Sequence, residues 1–430
     1  KIAPRRRESR QPSKLDDSKP VACRSASGAD DAETPMARRR SSKMQPTESR
    51  EGSRGSRRRT LTGAAETFSK PPEDTPEAPT PSAPSAAEVQ DLMRATRSSD
   101  SFGGAECSDC LVGCSSPARC RGGAAIDDPF VEKLCEAPGG GAEPEAVRAQ
   151  LGRERGVGVA CRKGLKAEQP NQDTYFYCDL GRYSVACVAD GHGEFGHWAS
   201  HWAARFALHL ATTLLADAEG LPEDGALARL YDTVHAGVKL KAAAEGFDVV
   251  LSGTTMTLVV IDRTAMEALV TWCGDSRCVI GRQGDKGPEV VVASADHKPS
   301  DPEERRRVLA SGGDVRRVYD DTPWRVYVRG REAPGLAMSR ALGDLLAQSV
   351  GVSHAPGLLR CSLQPRDVVL LCSDGVWEFM DDAEAIRLAV PFGKGGAGDA
   401  AEALAVDARE RWLREDRSFT DDITALVLHV

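Results

Sequence analysis

The stretch Val188-Ala189-Asp190-Gly191-His192-Gly193 runs an apolar segment straight into an aspartate, a glycine and a histidine. A carboxylate at a strand end, beside a glycine that lets the chain turn sharply, can offer its own oxygens and a backbone carbonyl to one hard cation. Alone the pattern is weak, because Asp-Gly also marks ordinary tight turns. The arrangement recurs, however. The apolar run 368–372 and Ser373 lead into Asp374-Gly375, and Thr420-Asp421-Asp422 opens onto 423–430. Gly274-Asp275-Ser276 follows 268–272, and Asn171-Gln172-Asp173 precedes the apolar 175–177. Five acidic positions at strand termini, gathered on one rim, would be too much like charge to bury without cations. An oxygen-ligated pair of Mg2+ or Mn2+ ions is the economical solution.

Outward from these turns, the chain after Gly152 reads as short runs rich in Val, Ile, Leu and Thr, with helical stretches between them. Strands are expected at 183–189, 255–261, 268–272, 278–281, 290–293, 368–372 and 423–430, and helices at 198–216, 227–244, 302–311, 382–390 and 400–413. In the first helix Trp198, Trp202, Phe206 and Leu210 recur every four residues and so share one face. The order is a strand, two helices, a block of strands, then mixed segments. That is not the steady alternation of a parallel sheet, and it predicts an α+β layered fold with antiparallel sheets.

The first 141 residues have a different texture, dominated by Arg, Ser, Pro, Gly and Ala. Residues 1–60 hold 17 Lys and Arg against 8 Asp and Glu, an excess of nine positive charges; the net charge of −8 therefore leaves −17 for the remainder. Such a stretch buries too little apolar area to offset its ordering entropy. The reading is a disordered basic region over 1–141, with a short helix near 87–94, and a folded domain over 150–430. Arg38–Arg40 before Ser41 and Arg57–Arg59 before Thr60 resemble sites for basophilic kinases. Of Cys107, Cys110, Cys114 and Cys120, only the first two have the spacing of a zinc knuckle, so oxidisable thiols are the simpler reading. Thirteen cysteines, with Cys187, Cys273 and Cys372 as singletons in apolar runs, suggest buried thiols of an intracellular protein, cytoplasmic or nuclear. No run approaches the roughly 20 apolar residues needed to cross a bilayer. The chain begins at Lys1 and not Met, which leaves open a preceding targeting or lipidation signal.

Eight segments in order resemble one family, the metal-dependent protein serine/threonine phosphatases of the 2C type. They are Lys163-Gly-Leu-Lys-Ala-Glu-Gln-Pro-Asn-Gln-Asp173, Asp190-Gly-His-Gly193, Ser252-Gly-Thr-Thr255, Cys273-Gly-Asp-Ser-Arg277, Ala295-Asp-His-Lys-Pro299, Met338-Ser-Arg-Ala-Leu-Gly-Asp344, Cys372-Ser-Asp-Gly-Val-Trp377 and Thr420-Asp-Asp-Ile-Thr424. The resemblance implies an αββα sandwich, two antiparallel sheets between helical layers, with two Mg2+ or Mn2+ ions in a cleft at one end. It implies that Asp190 bridges both metals, that the Gly191 carbonyl binds the first, and that Asp374 and Asp421 complete the second. Asp173 would hold a water on the metals, while Asp275 and Glu378 would form a weaker third site; Glu378 stands where the family commonly has Asp. Gln172 and Asp422 would stand behind the ligands, and His192 would be the general acid. The paired cations would activate a water for in-line attack on phosphorus.

Two departures from the pattern bear on substrate. Glu168 occupies the place of a phosphate-gripping arginine, so Lys163 or Lys166 is the expected replacement. Gln172 replaces a common Glu. The polar stretch from Gly312 through Trp324 to Arg331 corresponds to a flap beside the cleft. The implied activity is hydrolysis of phosphoserine and phosphothreonine in proteins by a monomer whose partners are phosphoproteins. The alternative is a pseudophosphatase scaffold, against which the retention of Asp190, Asp374 and Asp421 argues. Nucleic-acid binding is not expected, because the basic tail lacks interleaved aromatics.

Overall fold

Neighbouring residues along each central strand turn to opposite faces, and here both faces are apolar. On β4 (Asp173–Leu180), Phe176 and Cys178 face one layer while Tyr175 and Tyr177 face the other; on β5 (Tyr183–His192), Val185 and Cys187 oppose Ala186 and Val188. Strands buried on both sides require a layer on each side, and that requirement generates the architecture. The computed structural model describes residues 83–96, 110–113, 135–136, 144–166, 169–319 and 322–430, all within the unit Asp74–Val430.

The chain enters through α1 (Ala86–Ala95), β1 (Cys110–Gly113), β2 (Cys135–Glu136), α2 (Pro144–Arg155) and β3 (Val157–Arg162). After β4 and β5 come α3 (Gly196–Leu215), α4 (Asp224–Glu245), β6 (Gly253–Thr254), β7 (Met256–Asp262), β8 (Glu267–Cys273), β9 (Arg277–Gly284) and β10 (Gly287–Ala293). Then follow α5 (Pro302–Ala310), β11 (Gly313–Arg316), β12 (Arg325–Val328), β13 (Pro334–Leu336), β14 (Leu342–Gly343), α6 (Leu345–Gln348), β15 (Gly357–Ser362) and β16 (Val368–Cys372). The last elements are α7 (Asp374–Trp377), α8 (Asp382–Ala389), α9 (Ala397–Glu415) and β17 (Ile423–His429).

One antiparallel sheet runs β15-β8-β7-β5-β4-β1-β2, with β6 and β14 at its end; a second runs β10-β9-β16-β17-β3. Tyr175, Val188, Val259, Ile280, Leu371 and Leu426 interdigitate between them. α3 and α4 cover the first sheet through Phe206, Tyr231 and Val234, and α8 and α9 cover the second through Ile386, Leu404 and Ala405. This is the expected αββα sandwich. The stretch 312–331 supplies β11 and β12, which β13 joins in a separate three-stranded sheet that packs Val315, Val326 and Leu336 on Val308 of α5.

The expected helices all form with ends shifted by a few residues, as do the expected strands. Within the stretch 1–141 the described elements are α1, β1 and β2. α1 forms where the short helix is expected, closed by a capping box between Ser85 and Glu88, and it buries Val89 and Leu92 on the α3/α4 layer. β1 pairs with β4, Cys110 opposite Cys178. Ser41, Thr60, Cys107, Cys114, Cys120 and Glu168 lie outside the described residues. Leu92→Ala is expected to cost about 2–4 kcal/mol, and truncation to residue 141 to lower the urea midpoint relative to truncation to residue 83. Equal midpoints for the two truncations would show that α1 and β1 add nothing.

Candidate active site

Strand pairing alone assembles the acidic rim. β4 and β5 are in a register that sets Asp173 directly opposite Asp190, a like-charge pair that sheets ordinarily avoid. Asp190 is locked in place: its N–H donates to Thr255 Oγ1 at 2.9 Å and its carbonyl accepts from the Thr255 N–H at 2.8 Å. Gly191 follows because a Cβ there would collide with the Gly196 carbonyl. In the second sheet β16 pairs with β17, and the Ser373 N–H donates to the Thr424 carbonyl at 3.1 Å. Asp374, opening α7, thereby meets Asp421 and Asp422, which precede β17.

Asp190, Asp374 and Asp421 are half-buried, whereas Asp173, Asp275 and Asp422 are buried beneath them. Asp173 Oδ2 accepts from Ser373 Oγ and Thr424 Oγ1, each at 2.7 Å. Burial and the neighbouring Asp422 and Asp421 charges nevertheless push its carboxyl up to about 6. Burial, then Asp374, Asp173 and Asp421, raise Asp190 well above the ordinary carboxylate range; burial, then Asp421 and Asp275, do the same to Asp374. The two carboxyls oppose each other's ionisation, Asp374 being the largest charge acting on Asp190.

Two lysines offset part of this charge. Lys166 pairs with Asp421 and lies 3.4 Å from Asp422, and Lys298 pairs with Asp275. Burial opposes the charge on each, but Asp422, Asp421 and Asp190 together raise Lys166, and Asp275, Asp374 and Asp296 raise Lys298. Among the described residues no three acidic or imidazole side chains are gathered round one point as a ready-made metal cage. The two ammonium groups draw Asp421 and Asp275 toward themselves. The donor set still suits hard divalent cations: every candidate ligand is an oxygen, and the Oδ1 atoms of Asp275 and Asp374 are buried without a hydrogen-bond donor among the described residues.

The remaining expected residues divide. His192 is at the rim, its Nε2 2.6 Å from Asp344 Oδ2. Burial lowers its basicity, but the charge and hydrogen bond of Asp344 outweigh this and raise it above the usual imidazole value. Gln172 turns its amide onto the Gly193 carbonyl at 2.6 Å and so braces the histidine turn. Asp422 accepts from the Gly164 and Gln172 N–H groups at 2.8 and 2.9 Å, tying the 163–166 loop to β17. Glu378 is exposed, and its side chain makes no hydrogen bond or ion pair among the described residues; only its N–H bonds, to the Asp374 carbonyl. Both lysines expected to grip phosphate have partners within the protein. Lys163 donates to the Gly164 and Lys166 carbonyls of its own loop, at 3.3 and 3.1 Å, and Lys166 is drawn among the carboxylates, the stronger field. Sequence reasoning assigned no role to Asp344, Lys298, Ser373 or Thr424, although all four lie inside motifs that it singled out.

A group whose folded-state pKa exceeds its unfolded value favours folding while it keeps its proton, and that contribution is lost as pH rises through the folded pKa. Asp173 shifts from 3.8 to about 6, and Asp190, Asp374 and Asp421 shift in the same direction. The chelated protein is therefore expected to lose stability as pH rises from about 4 through 6 and beyond, and saturating Mn2+ to abolish that loss. Urea midpoints across this range, with and without Mn2+, decide it; a chelated protein that gains stability over the range contradicts the charge balance described.

An acidic, oxygen-lined rim beside a carboxylate-paired histidine, set across the end of two stacked antiparallel sheets, is the equipment of a phosphoester hydrolase. Residues 156–414, more than half of the chain, match the family model described as protein phosphatase 2C. Among curated proteins, the chain is 30% identical over 305 residues to a probable protein phosphatase 2C 48 of Oryza sativa subsp. japonica, covering 64% of this chain and 84% of that one. It is 29% identical over 323 residues to probable protein phosphatase 2C 12 of the same plant, covering 64% and 82%. Among solved structures, a serine-threonine phosphatase 2C from Toxoplasma gondii superposes with a TM-score of 0.53 at 21% identity, over 64% of this chain and 94% of that one. A C. elegans sex determining protein superposes with a TM-score of 0.51, also at 21% identity, over 64% of each chain. These two likenesses speak to the fold. The chain belongs to the protein phosphatase 2C family, and its activity is that of a protein serine/threonine phosphatase.

Metal-dependent dephosphorylation of proteins follows from that membership, with phosphoproteins as substrates. No helix among the described residues is long and apolar enough to cross a membrane.

Proposed function

We propose that this phosphatase works with two Mg2+ or Mn2+ ions held by Asp190, the Gly191 carbonyl, Asp374 and Asp421, with Asp275 and Glu378 contributing to a weaker third site. The observation that supports this reading is the mutual upward pull on Asp190, Asp374, Asp173 and Asp421, a cluster short of positive charge even with Lys166 and Lys298 in place. When bound, the cations supply an activated water and offset charge on the phosphoryl oxygens.

The chain's own residues do the rest. Asp173, held by Ser373 and Thr424, orients the attacking water through its buried carboxylate. His192, kept protonated by Asp344, donates a proton from its imidazole to the departing serine or threonine oxygen, the hard part of expelling an alkoxide. Gln172 and Asp422 fix the loops that carry these groups. With Lys166 engaged by carboxylates, phosphate is left to the cations. Domain bounds of 150–430 for the catalytic unit accord with the matched span, with α1 and β1 as added cover. Hydrolysis of a phosphothreonine peptide is expected to vanish on chelation and to return with Mn2+ or Mg2+. Full turnover in a chelated sample would refute the metal mechanism.

A further inference from the structure

Asp344 reaches His192 from an unfavourable backbone. Its φ of 48° lies in the left-handed region, which disfavours a side chain, and Gly253 is needed opposite because a Cβ there would collide with Asp344 Oδ2. Such a conformation persists only where its surroundings over-determine it. Here they converge on one imidazole. His235 of α4, 6% exposed, accepts the Gly343 N–H on its Nδ1 at 3.2 Å, and the same nitrogen faces Gln348 Nε2 at 3.4 Å. Gln348 in turn donates from Nε2 to the Ala341 carbonyl at 3.0 Å and from its N–H to the Asp344 carbonyl at 2.9 Å.

His354 lies flat on His235, with ring centroids 4.2 Å apart and planes 1° apart. It is clamped by Asp232 of α4 at its Nε2, 3.1 Å away, and by Gln348 Oε1 at its Nδ1, 3.2 Å away. Burial, then His354 and Lys239, push His235 down to about 3, so its Nδ1 stays an acceptor throughout the neutral range. The metal rim makes no use of this pair, and its hydrogen bonds all run to the turn that carries Asp344 or to the helix behind it.

We propose that His235, stacked on His354, is a positioning residue for proton donation: it holds the 341–344 turn so that the Asp344 carboxylate stays on His192 Nε2. The inference rests on the reading of His192 as the acid. Its signature is dependence on the leaving group. A threonine alkoxide needs a proton as the P–O bond breaks, whereas p-nitrophenolate leaves without one, so a misplaced acid slows the first far more than the second.

The experiment compares His235→Leu, which lacks the acceptor, with His235→Asn, whose side-chain oxygen can replace Nδ1. In His235→Leu with saturating Mn2+, kcat on a phosphothreonine peptide is expected to fall about tenfold more than kcat on p-nitrophenyl phosphate, with KM for the peptide little changed. His235→Asn should recover most of the difference. In the chelated protein the low-field proton of the His192–Asp344 hydrogen bond should be seen by NMR in wild type and His235→Asn and be lost in His235→Leu. Equal losses on both esters, no rescue by Asn, or a retained proton in His235→Leu would overturn the brace. If wild type hydrolysed neither ester, the phosphatase mechanism would fail, and the proton resonance would still decide the brace.

Discussion

Asp190→Asn and Asp374→Asn are each expected to lower turnover of a phosphothreonine peptide at saturating Mn2+ by about a thousandfold, while the chelated variants unfold at equal or higher urea concentration than the parent. The two effects have one cause. These carboxyls are forced together by the register of β4 against β5 and by the pairing of β16 with β17, and their ionisation in the metal-free protein is opposed by burial and by one another. An amide of the same shape removes that repulsion and relieves the apo protein. It also removes a charged oxygen ligand, and with it several kcal/mol of transition-state stabilisation that bound cations would supply. Turnover measured beside urea midpoints separates this from ordinary damage. A variant that lost activity together with chelated stability would assign the carboxylate to the fold and not to the metals.

His192→Gln is expected to slow hydrolysis of the phosphothreonine peptide by about 10²–10⁴-fold, with a much smaller loss on p-nitrophenyl phosphate. Asp344 holds the histidine protonated above the ordinary imidazole range, so turnover of the peptide should fall as pH rises through that raised value, and His192→Gln should lose this alkaline limb. Asp344→Asn keeps the hydrogen-bond geometry without the charge and should shift the limb to lower pH. The pH profiles of kcat for the three proteins are the measurement. An unchanged alkaline limb in His192→Gln would mean that another group gives up the proton.

Most of the catalytic rim can be read along the chain because its grammar is local. An apolar strand running into Asp-Gly, as at Asp190 and Asp374, needs only a few residues to be recognised, and with six further short motifs in order it points to the fold family and most of the candidate ligands. Element boundaries in the helices follow from a four-residue periodicity and from caps such as Asp381 with Glu384. β4 was harder to see: Tyr175, Phe176, Tyr177 and Cys178 are all buried, one pair in each core layer, so the alternation that betrays a half-exposed strand is absent. The short helix near 87–94 is legible from its own residues and forms as α1, whereas nothing within residues 110–113 announces the pairing of β1 with β4.

What is decided only in three dimensions is which charges meet. Nothing between residues 192 and 344 shows that this histidine and this aspartate will lie 2.6 Å apart, or that His235 and His354 will stack behind them. The carboxylates that meet Lys166 come likewise from far along the chain: Asp421 and Asp422, just ahead of β17 and more than 250 residues away, lie against its ammonium group. Propensity and periodicity act over one or two turns of chain, so they prescribe the strands, the glycines and the side chains available at each end. Coulomb interactions and desolvation act across whatever the stacked sheets bring together, and so partnership, protonation and the positioning of the acid belong to the tertiary fold.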